Sequence, residues 1–200
     1  FDVVSTGMIL SAEQAALVSD FCEQSAKKGA LVFVDPIMGD EGKLYNGVGE
    51  ETVAHMRKMV AVADCIVPNY TEAAYLADMP YHEDMTEEEA RALTIRLHEM
   101  GAKSVVVTSA KVDGENCVVG YDGTEGEFFR IPFDLIPVRF VGTGDIFAAV
   151  MLGRLVDGVP LQESTHRAMD AVRTMIDRNR DKEDKYLGIP IETCLEVLDE

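Results

Sequence analysis

The sequence contains no tryptophan, and cysteine, proline and histidine are sparse, at four, seven and four residues in 200. Cys22, Cys65, Cys117 and Cys194 are widely scattered and form no Cys-x-x-Cys pair, which speaks against disulfides and zinc and predicts reduced core thiols. His55, His82, His98 and His166 show no metal-ligand spacing and read as helix-surface or loop residues. Positive charge is also short. Eighteen Lys and Arg stand against 36 Asp and Glu, a net charge of -18, which opposes nucleic acid and anionic lipid as partners. No apolar run approaches a membrane span and no secretory leader is present, so the chain reads as soluble and cytoplasmic with small-molecule partners. Two phosphate-binding signatures are missing as well: there is no Gly-x-x-x-x-Gly-Lys-Ser/Thr, and Phe147 stands where the third glycine of Gly-x-Gly-x-x-Gly belongs.

What is present, at 47% hydrophobic residues, suffices for one sizeable core and favours a single domain. Phe1 to Gly7 reads as a strand ending in a turn. Ser11 with Gln14 is a capping-box signature for a helix that keeps Ala15, Val18, Phe21 and Cys22 on one side and ends at Gly29. Leu31 to Val34 is a continuous apolar run, as expected of a strand buried on both faces. Ile37 to Gly49 is expected to be a long loop, Glu50 to Ala63 a helix, Cys65 to Val67 a strand, and Thr71 the start of a short helix. Thr86 with Glu89 forms a second capping box, opening a helix closed by Gly101. Val105 to Val107 is expected to be a buried strand ending in Thr108-Ser109. Asn116 to Tyr121 and Glu127 to Ile131 resemble an antiparallel hairpin around Asp122-Gly123. Val138 to Val141 is expected to be a strand, followed by helices at Thr143 to Asp157, Leu161 to Arg178 and Ile191 to Leu198. Alternating strands and helices imply a mainly parallel sheet covered on both faces, an α/β chain with ligands beyond the carboxyl ends of the strands.

Those ends are chemically uniform: Thr6-Gly7, Asp35 with Asp40, Asn69 with Glu72, Thr108-Ser109 and Gly142-Thr143-Gly144-Asp145. The last of these is a glycine turn delivering a helix start, whose first amides have no internal partners and make an anion site. Asp145, in the first turn, stands where a base beside a phosphate is needed. Asn69 and Glu72 are three apart and share one side of a helical turn. With Asp35 and Asp40 they can present hard oxygen ligands, some through water, to a magnesium ion that holds nucleotide phosphates. The net charge points the same way, because an acidic protein that binds an anion needs a metal and local amide dipoles to compensate.

Asp35-Pro36-Ile37-Met38-Gly39-Asp40, Gly42-Lys43-Leu44-Tyr45, Pro68-Asn69-Tyr70-Thr71-Glu72, Thr108-Ser109 and Gly142-Thr143-Gly144-Asp145 together resemble the pyridoxal kinase family of the ribokinase-like superfamily. The resemblance implies a three-layer α/β/α fold and ATP-dependent phosphorylation of the 5′-hydroxymethyl group of pyridoxal, pyridoxine or pyridoxamine. It implies Asp145 as catalytic base in contact with substrate, and Gly142, Thr143 and Gly144 as the anion hole. It places Asp35, Asp40, Asn69 and Glu72 at magnesium, Asp40, Asn69, Thr108 and Ser109 at the nucleotide, and Tyr45 over the phosphates. Asp35 with Thr108 falls where the family often places a monovalent cation such as K+. Gly7 and Met8 fall at the vitamin.

Met8 departs from the tyrosine common in that family and matches hydroxymethylpyrimidine kinases, the nearest rival. Against the rival stand Gly39-Asp40 and Asp145, where it typically lacks Gly-Asp and carries cysteine. Val67 replaces a frequent threonine. Family members also carry a segment before Val3, so the resemblance implies one ribokinase-like domain over residues 1–200, partial at its N-terminus, lacking the first strands, and a homodimer when complete. A non-catalytic nucleotide-binding module or inactive fragment is the reading from another class.

Overall fold

The computed structural model describes residues 1–198 and divides the chain into two compact units, Phe1–Phe133 and Asp134–Glu200. In the first unit, strands β1 (Val3–Thr6), β2 (Leu31–Val34), β5 (Cys65–Ile66), β6 (Ser104–Val112), β7 (Glu115–Asp122) and β8 (Glu127–Pro132) form one sheet in the order β1-β2-β5-β6-β7-β8. The first four run parallel, with Thr6 beside Val34 and Ile66 beside Val105, and β7 and β8 extend the sheet antiparallel. Gly7 and Asp35 directly follow β1 and β2, and Asn69, beyond β5, forms a parallel bridge with Thr108 inside β6. Val32, Phe33 and Val34 are wholly buried, and each such side chain stabilises the fold by roughly 1.5–3 kcal/mol.

Helices α1 (Ala12–Ala26), α2 (Glu50–Val60), α3 (Tyr70–Ala77) and α4 (Glu87–Glu99) pack against one another in sequence order. Their apolar sides join Val32, Val34, Ile66, Val105 and Val107 in one core. The Thr86 box closes fully, Thr86 Oγ1 accepting from Glu89 N–H and Glu89 Oε2 from Thr86 N–H. The Ser11 box closes only by half, because Gln14 Oε1 accepts from Leu10 N–H. Phe21 also departs from expectation: it is half-exposed and meets the ring of Phe1 edge-on. His55, expected at a surface, is buried on the α2 face that carries Val53, Met56 and Met59. The four cysteines are buried free thiols, as expected.

Four segments differ from the sequence expectation. The segment 37–49 is not all loop, since β3 (Gly39–Asp40) and β4 (Lys43–Leu44) form a two-stranded ribbon whose turn residues, Glu41 and Gly42, both have positive φ. Strand β6 does not end at Thr108-Ser109. A bulge between Val107 and Ala110, with Ser109 at φ +55°, absorbs these residues, and β6 turns into β7 through Asp113-Gly114, both left-handed. In the second unit, Val138 to Val141 is not a strand. Phe140 instead packs into a core with Ile146, Met175 and Ile189, which accounts for the apolar run without sheet pairing. That unit holds α5 (Thr143–Val156) and α6 (Leu161–Asn179), and the expected helix 191–198 is two 3-10 turns, Ile191–Thr193 and Leu195–Leu198, separated at Cys194 by φ -132°. Among the described residues no helix is long and apolar enough to cross a membrane.

Candidate active site

In the first unit the predicted residues assemble around the start of α3. Asn69 caps the helix, its Oδ1 accepting from Glu72 N–H at 3.0 Å while Glu72 Oε2 accepts from Asn69 N–H at 2.9 Å. The same two side chains reach out of the helix to the chain after β2. Glu72 Oε1 accepts from Met38 N–H at 2.8 Å and more weakly from Gly39 N–H at 3.4 Å, and Asn69 Nδ2 donates to Gly39 C=O at 2.8 Å. Glu72 is buried. Burial pushes its carboxyl up to about 7; the N–H bonds from Met38, Asn69 and Gly39 oppose the rise and the charge of Asp35 adds to it. Asp35 lies directly beyond β2, its N–H donating to Thr6 C=O.

Asp40 belongs to the ribbon, and Tyr45 follows it with its N–H on Met38 C=O at 2.9 Å. Thr108 N–H donates to Pro68 C=O, and Thr108 bridges Asn69 as a parallel partner; Ser109 is exposed on the bulge. Gly7 and Met8 follow β1. A Cβ on Gly7 would stand 3.5 Å from Ile37 Cδ1, and Met8 is half-exposed. Beside β1's end, Thr6 Oγ1 is buried without a hydrogen-bond partner.

Two residues of this region carry no site role in the sequence, although Thr71 stands within the Pro68 to Glu72 motif. Thr71 is buried and its Oγ1 accepts from Gly42 N–H at 2.8 Å, and Tyr81 lies against Gly42. Their only sequence signal is the glycine after Glu41, which marks a turn that something must support.

In the second unit Gly142 takes a left-handed conformation, φ +84°, as the N-cap of α5, and no side chain caps that helix. The first intrahelical bond begins with Ile146 N–H on Gly142 C=O, so the amides of Thr143, Gly144 and Asp145 precede the helical ladder. Gly144 and Asp145 are exposed, and Asp145 Oδ2 lies 3.6 Å from where a Cβ on Gly142 would stand. This half-turn can receive an anion with a carboxylate beside it.

Among the described residues no three His, Cys, Asp or Glu side chains gather closely enough to form a metal cluster. The side-chain oxygens of Asn69 and Glu72 already accept backbone N–H groups. The donor set therefore fits a hydrated cation held by the field of Asp35 and Glu72 better than one ligated directly by Asn69 and Glu72.

A model of the phosphomethylpyrimidine kinase family matches residues 1–188. The pyridoxal kinase of Arabidopsis thaliana is 33% identical over 171 residues, 82% of this chain and 53% of its own. A crystal structure of a candidate phosphomethylpyrimidine kinase from Bacteroides thetaiotaomicron VPI-5482, a form with pyridoxal, is similar at TM-score 0.92 and 33% identity, over 100% of this chain and 71% of that one. The pyridoxal kinase structure from Lactobacillus plantarum gives TM-score 0.84 and 28% identity over 100% and 71%. The chain spans about half the length of the curated relatives it matches. These likenesses, with the mainly parallel sheet, bear out the expected three-layer α/β/α class.

Proposed function

Since the chain belongs to the phosphomethylpyrimidine kinase family, we propose that it carries the phosphoryl-transfer machinery of an ATP-dependent kinase acting on the 5′-hydroxymethyl group of a vitamin B6 vitamer. The observation that carries the proposal is the uncapped start of α5, with left-handed Gly142 and with Asp145 in the first turn. Phosphoryl transfer depends on alignment and charge stabilisation more than on covalent help. The amides of Thr143 and Gly144 supply fixed partial positive charge to the transferring group, and they need not reorganise as charge develops. Asp145 takes the proton of the acceptor hydroxyl as its oxygen attacks the γ-phosphorus; the bond to the bridging oxygen breaks and ADP leaves.

Asp35, Asp40, Asn69 and Glu72 would hold a hydrated magnesium ion in this reading, the last two through water, and the ion would neutralise phosphate charge. Thr108 and Ser109 contact nucleotide phosphates, and Tyr45 covers them. Asp35 with Thr108 is the place for a monovalent cation. Gly7 and Met8 face the vitamin. We further infer a single ribokinase-like domain over residues 1–200 that works as a cytoplasmic homodimer in the whole protein.

The substrate class is supported by the pyridoxal that accompanies the Bacteroides thetaiotaomicron crystal structure. A second reading, hydroxymethylpyrimidine as acceptor, is favoured by Met8 after Gly7. Side-by-side turnover of pyridoxal, pyridoxamine and hydroxymethylpyrimidine with ATP decides between them. Asp145→Asn is expected to keep nucleotide binding and to lose turnover by about 10²–10⁴-fold. Near-normal turnover in that variant removes Asp145 from the role, and ATP binding with no transfer by the complete protein favours a non-catalytic module.

A further inference from the structure

The β3–β4 ribbon carries Asp40 and is followed at once by Tyr45, yet each of its strands has only two residues. A two-stranded ribbon of this size has too little pairing to hold its own position. Its supports come from α3 and from the segment after it. Thr71, 3% exposed on the first turn of α3, accepts the N–H of Gly42 at 2.8 Å. At the ribbon's turn Gly42 has φ +77°, and a Cβ there would come within 3.0 Å of two carbons of the Tyr81 ring. The absent side chain is what lets the ring lie against the backbone. Tyr81 in turn stacks on Tyr70, with centroids 4.7 Å apart and planes inclined by 26°. Tyr70 is buried, and its hydroxyl accepts the N–H of His82 at 3.0 Å. The ribbon's turn thus rests on a two-ring stack fixed to the core, with one polar tether beside it.

We propose that Tyr81 and Thr71 are positioning residues that set the β3–β4 ribbon, and with it Asp40 and Tyr45, in place for the nucleotide's phosphates before the nucleotide arrives. The proposal rests on the kinase reading for what the ribbon covers. A ribbon ordered in advance spares the nucleotide the entropy of ordering it, so the seat acts on nucleotide affinity and not on the acceptor alcohol.

The test compares Tyr81→Ala, Tyr81→Phe, Thr71→Val and Thr71→Ser in the full-length protein. Amide exchange over residues 38–45 without ligand, the Kd for ATP, and the KM values for ATP and pyridoxal are measured. Tyr81→Ala and Thr71→Val are expected to speed ribbon exchange and to raise Kd and KM for ATP by about tenfold, with KM for pyridoxal within about twofold. Tyr81→Phe keeps the stacked ring and Thr71→Ser keeps the acceptor oxygen, so both are expected to behave like the parent. Unchanged ribbon exchange in Tyr81→Ala overturns the proposal, as does an equal rise in both KM values or a Phe variant as poor as Ala. A parent protein that binds ATP without transferring phosphate overturns the kinase reading alone, because exchange and ATP affinity still test the seat.

Discussion

Glu72 gives the sharpest test of how this fold is held together, because one buried carboxyl serves three backbone donors. Its bonds from Met38 and Asn69 are of full strength, at 2.8 and 2.9 Å, and that from Gly39 is weaker at 3.4 Å. Glu72→Ala orphans two good N–H groups in the interior, at about 1–3 kcal/mol each, so a loss of about 2–6 kcal/mol is expected under acidic conditions. Glu72→Gln keeps one oxygen for Met38 and Gly39 but turns a second donor toward Asn69 N–H, and is expected to cost about 1–3 kcal/mol. The pH dependence is the distinctive part. The folded carboxyl sits near 7, raised from 4.5, so the folded state binds the proton more tightly than the unfolded chain. The stability this provides is fully present below the unfolded value and is lost as pH rises through the folded one. Between about pH 5 and about pH 8 the parent loses about 2–3 kcal/mol from this group, whereas the Gln variant has no such group to titrate. The deficit of Glu72→Gln relative to the parent is therefore expected to shrink from about pH 5 to about pH 8 by a similar amount. Urea unfolding followed by far-UV circular dichroism, in EDTA so that no cation intervenes, measures both proteins at both pH values, and titrating groups not coupled to Glu72 cancel in the difference. A deficit that stays constant across the window refutes the raised carboxyl. A Glu72→Ala loss below about 0.5 kcal/mol refutes the three-donor role.

Gly39→Ala places a Cβ 2.3 Å from Lys43 O and 2.9 Å from Leu44 Cα, both backbone atoms; the ribbon is expected to open at a cost of about 1–3 kcal/mol, and unaltered amide exchange across residues 39–44 counts against it. Ser109 holds φ +55° in the β6 bulge, so Ser109→Val is expected to lose about 1–2 kcal/mol while Ser109→Gly stays near the parent. Equal unfolding midpoints for those two variants contradict the strained bulge. Thr6→Val removes a buried hydroxyl that has no partner and is expected to raise the melting temperature by about 2–4 °C, a gain that calorimetry checks and that a fall in melting temperature disproves.

The parallel part of the sheet was legible because its strands are continuous apolar runs between well-marked helix starts. Leu31 to Val34 and the Thr86–Glu89 box each carry their signal within a few residues, and each lies where expected. The antiparallel extension was half legible. Asp122-Gly123 marks one turn, but the equally good Asp113-Gly114 is obscured because Thr108-Ser109 resembles a strand end, and a bulge leaves no trace in composition. Val138 to Val141 failed for the opposite reason. Its residues are apolar enough for a strand, but Phe140 meets the demand for burial against the helices of its own unit, and a short apolar run does not say which kind of surface it covers.

At the candidate site, the spacing of Asn69 and Glu72 was legible and its meaning was not. A three-residue interval between an amide and a carboxylate serves a helix cap and a cation site equally well, and the helix cap forms here in full. What sequence could not reveal is the third partner, because Met38 and Gly39 lie more than thirty positions earlier and contribute only backbone N–H groups, which every non-proline residue has. That third contact changes what a mutation at the site measures. A variant of Glu72 weakens or alters the hold on the ribbon that carries Asp40 while it changes the charge proposed to attract a cation, so a loss of activity there cannot be assigned to either cause. Tyr81 and Thr71 touch the ribbon at its turn, at Gly42, without belonging to the carboxylate pair. They move the ribbon and leave Asp35 and Glu72 chemically intact, so their variants separate the frame from the charge it carries.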